Sequence, residues 1–513
     1  MYQSYSRKVF WLIIISSIIK LLVAGLLELG NDEVYYWTYA IQPDWNHFDH
    51  PPMVGWLIRI TTLNLWWVNE VTVRAGAIIC AGLSTWIIFK LGKLLDSERL
   101  GWLTALIYTL SVYTGFITGL FILPDSPQML FWVASLYLMA YILLKREEEN
   151  LSIWLLLGLT IGLAALSKVH GLYLWAGFGA FLLFTRIQWL TNWRLYAGVL
   201  VTLVCITPIV YWNITNDFIT YRFHSARVTN TSLQWDMLGR EIAGEALYQH
   251  PLLFVVILLS LFGLATNRIR FARKRIKSWL LWMSIPMVLL FWGVSLFNPT
   301  LPHWAGPAYI PLYFIAAMYL QKRSNRNFPV WLQASFVLIV VVLTTGIILV
   351  RYSPVNFGSQ QKENYGEYCP TLDLSGWADM STQFNQLYQA DIAAGHMNKD
   401  AVLLTHKWFP GGHLEFYTAR QAGIKLVGVG ELQDLHKFAW LNQERGNLQK
   451  GADAYYILAS NLPYDVKASL GKYFTSIEEP VVINQVRSGK IVRYFYVYRL
   501  RNAVQTVPAL LPR

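Results

Sequence analysis

Residues 9–37 read VFWLIIISSIIKLLVAGLLELGNDEVYYW. About twenty apolar residues, enough helix to cross a bilayer's hydrocarbon core, run directly into an acidic and aromatic stretch. Neighbouring carboxylates at the mouth of a membrane helix are costly unless something uses them. The acidic stretch, Asn31-Asp32-Glu33-Val34-Tyr35-Tyr36-Trp37, reads as a short polar loop, and Asp49-His50-Pro51-Pro52 follows it.

The pattern of that first segment recurs. Of 513 residues, 55% are apolar, 15% aromatic and only 14% charged, where a soluble enzyme carries nearer a quarter charged residues. Apolar windows of roughly 20 residues fall at about 9–29, 71–92, 100–122, 127–144, 151–167, 171–185, 195–213, 251–266, 278–297, 304–320 and 328–350. These predict a polytopic all-α membrane bundle with about 11–13 spans. Residues 53–68 are Trp-rich and amphipathic, suited to lying along the membrane surface. Arg7 and Lys8 precede the first run as in a signal peptide, but no small-residue cleavage site follows, so an uncleaved first helix is expected.

Basic residues orient the bundle. With Arg7 and Lys8 inside, alternate spans put eighteen Lys and Arg in cytoplasmic loops, Arg268 to Lys277 and Arg323 among them, against five outside: Arg59, Lys168, Arg222, Arg227 and Arg240. The net charge of +12 therefore reflects loop bias, and no nucleic-acid partner is expected. Asp32, Glu33, Asp49, Asp125, Lys168, His303 and everything after residue 350 then face outward. From Arg351 the composition becomes that of a soluble domain. Ala401–Thr405, Lys425–Val429, Ala454–Ala459 and Ile491–Leu500 read as strands and His413–Ala422 as a helix. The expected division is a membrane domain over 1–350 and a small extracytoplasmic α/β domain over 351–513. Cys80, Cys205 and Cys369 form no disulfide framework or metal cluster.

Five short blocks carry the chemistry. Asp32 or Glu33 can take a proton from an acceptor hydroxyl or help hold a divalent cation, the one cofactor these residues suggest; both readings stay open beside that of a solvated helix end. Tyr35, Tyr36 and Trp37 offer a sugar-stacking surface or an interfacial belt. Pro51 and Pro52 fix Asp49 and His50 at a rigid corner. Pro124-Asp125-Ser126-Pro127 reads first as a helix cap. Lys168, on the side where basic residues are scarce, suits an anionic phosphate or snorkels to headgroups. His303, in Asn298–Pro307, is a candidate phosphate or sugar contact. His406, His413 and Glu415 make a poor metal site, because His413 and Glu415 point to different helix faces.

Taken in order, these blocks resemble the bacterial branch of the protein O-mannosyltransferase-like enzymes in the GT-C superfamily, which includes lipid A aminoarabinose and core galacturonic acid transferases. The resemblance rests on Asp32–Trp37, Asp49–Pro52, Pro124–Pro127, Leu166-Ser167-Lys168 and His303–Tyr309, with Leu414-Glu415-Phe416-Tyr417 a looser match. It implies an inverting hexosyl- or pentosyltransferase of the bacterial inner membrane. Such an enzyme moves a sugar from a polyprenyl-phosphate donor to a periplasmic lipid, core saccharide or other glycan or protein. It implies Asp32 as catalytic carboxylate, with Glu33 beside it, and Tyr35, Tyr36, Asp49, His50, Asp125, Lys168 and His303 as substrate contacts. His50 departs from the lysine that aminoarabinose transferases carry before their paired prolines, so the carrier-phosphate role passes less directly to it and is open to Lys168. A flippase for lipid-linked saccharides is the alternative that membrane topology alone would allow.

Overall fold

The computed structural model describes residues 4–226, 230–269, 271 and 273–507; Arg227 and Arg270 of the loop tally lie outside the described residues. The chain divides into two compact units, Met1–Leu22 with Asp44–Val342, and Val23–Pro43 with Leu343–Arg513.

The first unit is helical. Its elements are α1 (Tyr5–Leu26, its end lying in the second unit), α3 (Met53–Thr61), α4 (Glu70–Leu95), α5 (Glu98–Leu110), α6 (Asp125–Lys145), α7 (Leu151–Ser167), α8 (Tyr173–Thr185), α9 (Trp193–Thr215) and α10 (Ile219–Ser225). They continue with α11 (Trp235–Tyr248), α12 (Pro251–Ala265), α13 (Lys274–Trp282), α14 (Ile285–Ser295), α15 (Ile310–Arg323) and α16 (Val330–Tyr352, its end lying in the second unit). Each of the eleven apolar windows coincides with helix. Among the described residues six helices are long and apolar enough to cross a membrane, or seven if the pair α11–α12, bent by 105°, makes one span. The chain is a multi-pass membrane protein.

Glycines let these helices approach. A Cβ on Gly158 would meet the Gly198 carbonyl oxygen of α9 at 2.0 Å, and one on Gly92 would meet Gly101 Cα of α5 at 2.4 Å. Lipid gives no hydrophobic drive between helices, so such close backbone packing is what holds membrane bundles together. Helix α3 has nine residues and is too short to cross. Pro52 precedes it, as the proline pair predicts.

The second unit contains the stretch that reads as a loop. Residues Asn31–Ile41 are instead an α-helix, α2. Gly30 is extended and caps it, its N–H donating to Glu33 Oε2 at 2.9 Å, while Asp32 and Glu33 favour the positive end of the helix. Polarity masked the helical period: Glu33 through Ala40 are all buried. The three aromatics pack inward rather than forming a belt. The Tyr35 ring lies 5.0 Å from Trp408 and the Trp37 ring 5.3 Å from Phe416.

The same unit holds a six-stranded sheet of β1 (Val402–Thr405), β2 (Leu426–Gly428), β3 (Ala454–Ala459), β4 (Phe474–Ile477), β5 (Val481–Arg487) and β6 (Lys490–Ala503), while α2 packs on the helical segment Trp408–Ala419. Strand β1 pairs parallel with β2 and β3, and β6 pairs antiparallel with β3 on one edge and with β4 and β5 on the other. Helix α17 (Trp377–Ala393) packs on β5. Glu28 accepts the N–H groups of Trp377 and Ala378 at 2.8 and 3.2 Å, and Leu29 N–H donates to Tyr417 at 2.7 Å. Residues 23–43 are thus built into this unit by hydrogen bonds as well as packing.

Candidate functional site

Two groups of candidate residues emerge, one in each unit. In the helical unit the centre is a buried ion pair. Lys168 Nζ, in the linker between α7 and α8, lies 3.0 and 2.9 Å from the two carboxylate oxygens of Asp125, at the first residue of α6. Tyr113 donates to Asp125 Oδ1 at 2.9 Å. Both side chains are nearly inaccessible, at 5% and 6%. Asp125 therefore does not cap its helix; Ser126 instead accepts the Leu123 N–H at 3.1 Å. Lys168 does not snorkel.

Three histidines share the electric field of this pair: His50, His170 and His303. Burial lowers the His50 imidazole to about 4, with Asp49 opposing and Lys168 reinforcing the shift. Burial likewise lowers His303 to about 4, Lys168 acting in the same direction. Both are neutral at physiological pH and can donate or accept hydrogen bonds without carrying charge. Asp49 Oδ2 is 4.0 Å from His50 Nε2, and the His224 ring contacts the Asp49 carbonyl at 2.9 Å. The fold thus gathers Asp49, His50, Asp125, Lys168 and His303, which span more than 250 residues of sequence, and adds Tyr113, His170 and His224. Tyr113 gave no sign in the sequence, lying inside an apolar window.

In the second unit Asp32 and Glu33 have parted roles. Glu33 is 2% exposed and engaged by the Gly30 N–H, whereas Asp32 is exposed to solvent. His413 contacts Asn31 Oδ1 at 2.8 Å and stacks on Trp377 with ring centres 4.3 Å apart. Asp373, which the sequence did not single out, accepts the Asn31 N–H beside them. Burial raises its carboxyl to about 7; the charges of Asp32 and Glu33 add to this, and the Asn31 N–H and Arg493 oppose it. Glu415 is committed to Arg445 by two bonds of 2.7 and 2.9 Å. Among the described residues no three His, Cys, Asp or Glu side chains form a set that could hold a metal ion.

Residues 49–212 match the family described as dolichyl-phosphate-mannose-protein mannosyltransferase, a segment that includes His50, Asp125 and Lys168. A lipid A galacturonosyltransferase of Rhizobium johnstonii is 25% identical over 301 residues; the match takes in 56% of this chain and 60% of that relative's length. The fold decides more. ArnT from Cupriavidus metallidurans, in a crystal structure bound to undecaprenyl phosphate, superposes with a TM-score of 0.62 at 16% identity, covering 98% of this chain and 99% of that one. Its apo crystal form gives 0.58 at 14% identity. The chain has the fold of the ArnT crystal structures. The matched family segment begins after Asp32 and Glu33, so the acidic pair lies outside it while the ion-pair group is largely within it.

Proposed function

We propose that the protein is an inner-membrane glycosyltransferase. It takes a sugar from a polyprenyl-phosphate carrier and transfers it to a lipid A, core-saccharide or other periplasmic acceptor. The observation that carries this reading is the convergence of Lys168, Asp125, His50 and His303 from four separate segments, in a chain whose fold is that of a protein crystallised with undecaprenyl phosphate.

In this reading the ion-pair group receives the carrier headgroup. Asp125 holds Lys168 in place, and the neutral imidazoles of His50 and His303 donate hydrogen bonds to phosphate oxygens. The bond from the anomeric carbon to the phosphate oxygen breaks, and the lipid phosphate leaves with both electrons. The acceptor hydroxyl oxygen attacks from the opposite face, giving inversion, and its proton passes to the Asp32 carboxylate. Asp32 is preferred over Glu33 because it is exposed while Glu33 is spent on the helix cap. Hydrogen bonds and positive charge on the leaving phosphate stabilise the charge that develops there.

The test is a purified, reconstituted protein given a polyprenyl-phosphate sugar and a lipid acceptor. A new glycosidic bond, seen as a mass increment on the acceptor, is expected. Transbilayer movement of the donor with no covalent product would establish the flippase alternative instead.

A further inference from the structure

His303 reaches the ion-pair group on the connection between α14 and the tight helical turn Gly306–Tyr309. Both stems of this connection are tied to one oxygen of a third element. Trp292, on α14, and Tyr309 donate to the same carboxyl oxygen, Oε2 of Glu245 on α11, at 2.8 and 2.7 Å. Glu245 is fully buried, and its other oxygen makes no hydrogen bond among the described residues. One turn earlier on the same helix face, Glu241 accepts the Thr300 hydroxyl at 2.8 Å. The neighbouring face of α11 meets the residues beside His303. A Cβ on Gly244 would lie 2.2 Å from Pro302 Cγ, and the Tyr248 ring centre is 6.2 Å from that of His303. At the far end of the connection Gly306 lies against the Tyr113 ring, and Tyr113 donates to Asp125.

We propose that Glu245 is a positioning residue: through Trp292 and Tyr309 it fixes the connection that holds His303 at the ion-pair group. A carboxyl oxygen has two lone pairs and takes two donors at once, so a single side chain closes this connection at its neck. Without it the Trp292 indole N–H and the Tyr309 hydroxyl lose their shared partner inside the protein, a costly state that one or both stems relieve by shifting. His303 stands between those stems and moves with them. An imidazole donates to a phosphate oxygen only within hydrogen-bond reach, and a misplacement of about 1 Å lowers a rate on the order of a hundredfold. Glu241 and Gly244 each touch one residue of the connection, whereas Glu245 spans both of its ends. A carboxyl that only stabilised the bundle would have no reason to draw both its donors from the two sides of His303. The inference rests on the glycosyltransferase reading for the role of His303 at the carrier phosphate.

The test is labelling of full-length protein in detergent with diethyl pyrocarbonate, which acylates uncharged imidazole, read by mass spectrometry at His303 and at the exposed His396 as a reagent control. His303 is already uncharged at pH 7, so a change in its labelling reports access rather than protonation. Glu245→Leu is expected to raise His303 labelling at least fivefold with His396 unchanged. Glu245→Gln, which keeps an oxygen for both donors, should stay within about twofold of the parent. Tyr309→Phe removes one donor and keeps the ring; it should fall between the parent and Glu245→Leu, and it carries the test if the leucine variant does not fold. In transfer assays Glu245→Leu should raise donor KM at least fivefold with kcat little changed, and add nothing to the KM of His303→Ala. Unchanged His303 labelling in Glu245→Leu and Tyr309→Phe, equal labelling in the glutamine and leucine variants, or a KM effect that persists in His303→Ala overturns the inference. The labelling uses neither donor nor turnover, so its failure leaves the transfer reading intact, and a parent without transfer activity would remove that reading without altering the labelling.

Discussion

The ammonium of Lys168 lies within 3.0 Å of both carboxylate oxygens of Asp125, at the first residue of α6 and almost out of reach of solvent. A buried pair of this kind gains little over an apolar pair of the same shape, yet losing one partner strands the other charge. Lys168→Met and Asp125→Leu should each cost about 3–5 kcal/mol, and the double variant less than the sum of the two. Thermal melting of the detergent-solubilised proteins measures this. Additive losses would mean that the two side chains do not depend on each other.

Asp373 gives a pH dependence with a defined sign. Its carboxyl is raised to about 7 from an ordinary value near 3.8, so between those limits the folded state binds more protons than the unfolded chain. Its contribution to stability is greatest at the acid end and falls as pH rises from about 4 to about 7. Asp373→Asn should remove that dependence, leaving the variant more stable relative to parent at pH 8 than at pH 5. Melting curves at the two pH values check it; a constant difference would contradict the assignment.

His50 is held down to about 4, chiefly by burial, so its imidazole is uncharged through the neutral range. Donor KM should then be flat from pH 6 to 8 as far as this residue is concerned. His50→Gln, which keeps a donor, should raise donor KM less than His50→Ala, which removes it. Equal effects from the two substitutions would remove hydrogen bonding by His50 from carrier recognition.

Glu28 receives two backbone N–H groups at the start of α17. Glu28→Ala should cost roughly 1 kcal/mol, the usual size of a lost helix cap, provided the second unit folds around residues 23–43. A melting temperature equal to the parent's would show that the cap contributes nothing.

How much of this was legible beforehand depends on range. Apolar windows located helices, because hydropathy is a local property, but among the described residues six or seven helices are long and apolar enough to span, against roughly 11–13 spans expected. Strands β1, β2, β3 and β6 are readable as apolar runs, whereas β4 buries little beyond Phe474 and β5 buries Gln485 and Arg487 while exposing Val482 and Val486, which hides its alternation from the sequence. Helix α2 reads as a loop because its aromatics look interfacial in isolation, and only contacts with Trp408 and Phe416, far along the chain, turn them inward. Asp125 was read first as a cap because Lys168 lies 43 residues away and Tyr113 is hidden in an apolar run. Asp373 and Arg493 stand in stretches with no motif, and contacts between distant segments brought them together. Short polar blocks thus marked where the candidate chemistry sits but not what each side chain touches.

The central claim is that the exposed carboxylate of Asp32 takes the acceptor's proton. Its most direct test is the rate of labelled-sugar transfer from a polyprenyl-phosphate donor, compared between the parent and Asp32→Asn at equal amounts of folded, reconstituted protein. A loss of at least a hundredfold, the usual reach of a general base, with unchanged melting temperature is the expected result. Transfer by Asp32→Asn at the parent's rate would contradict the account.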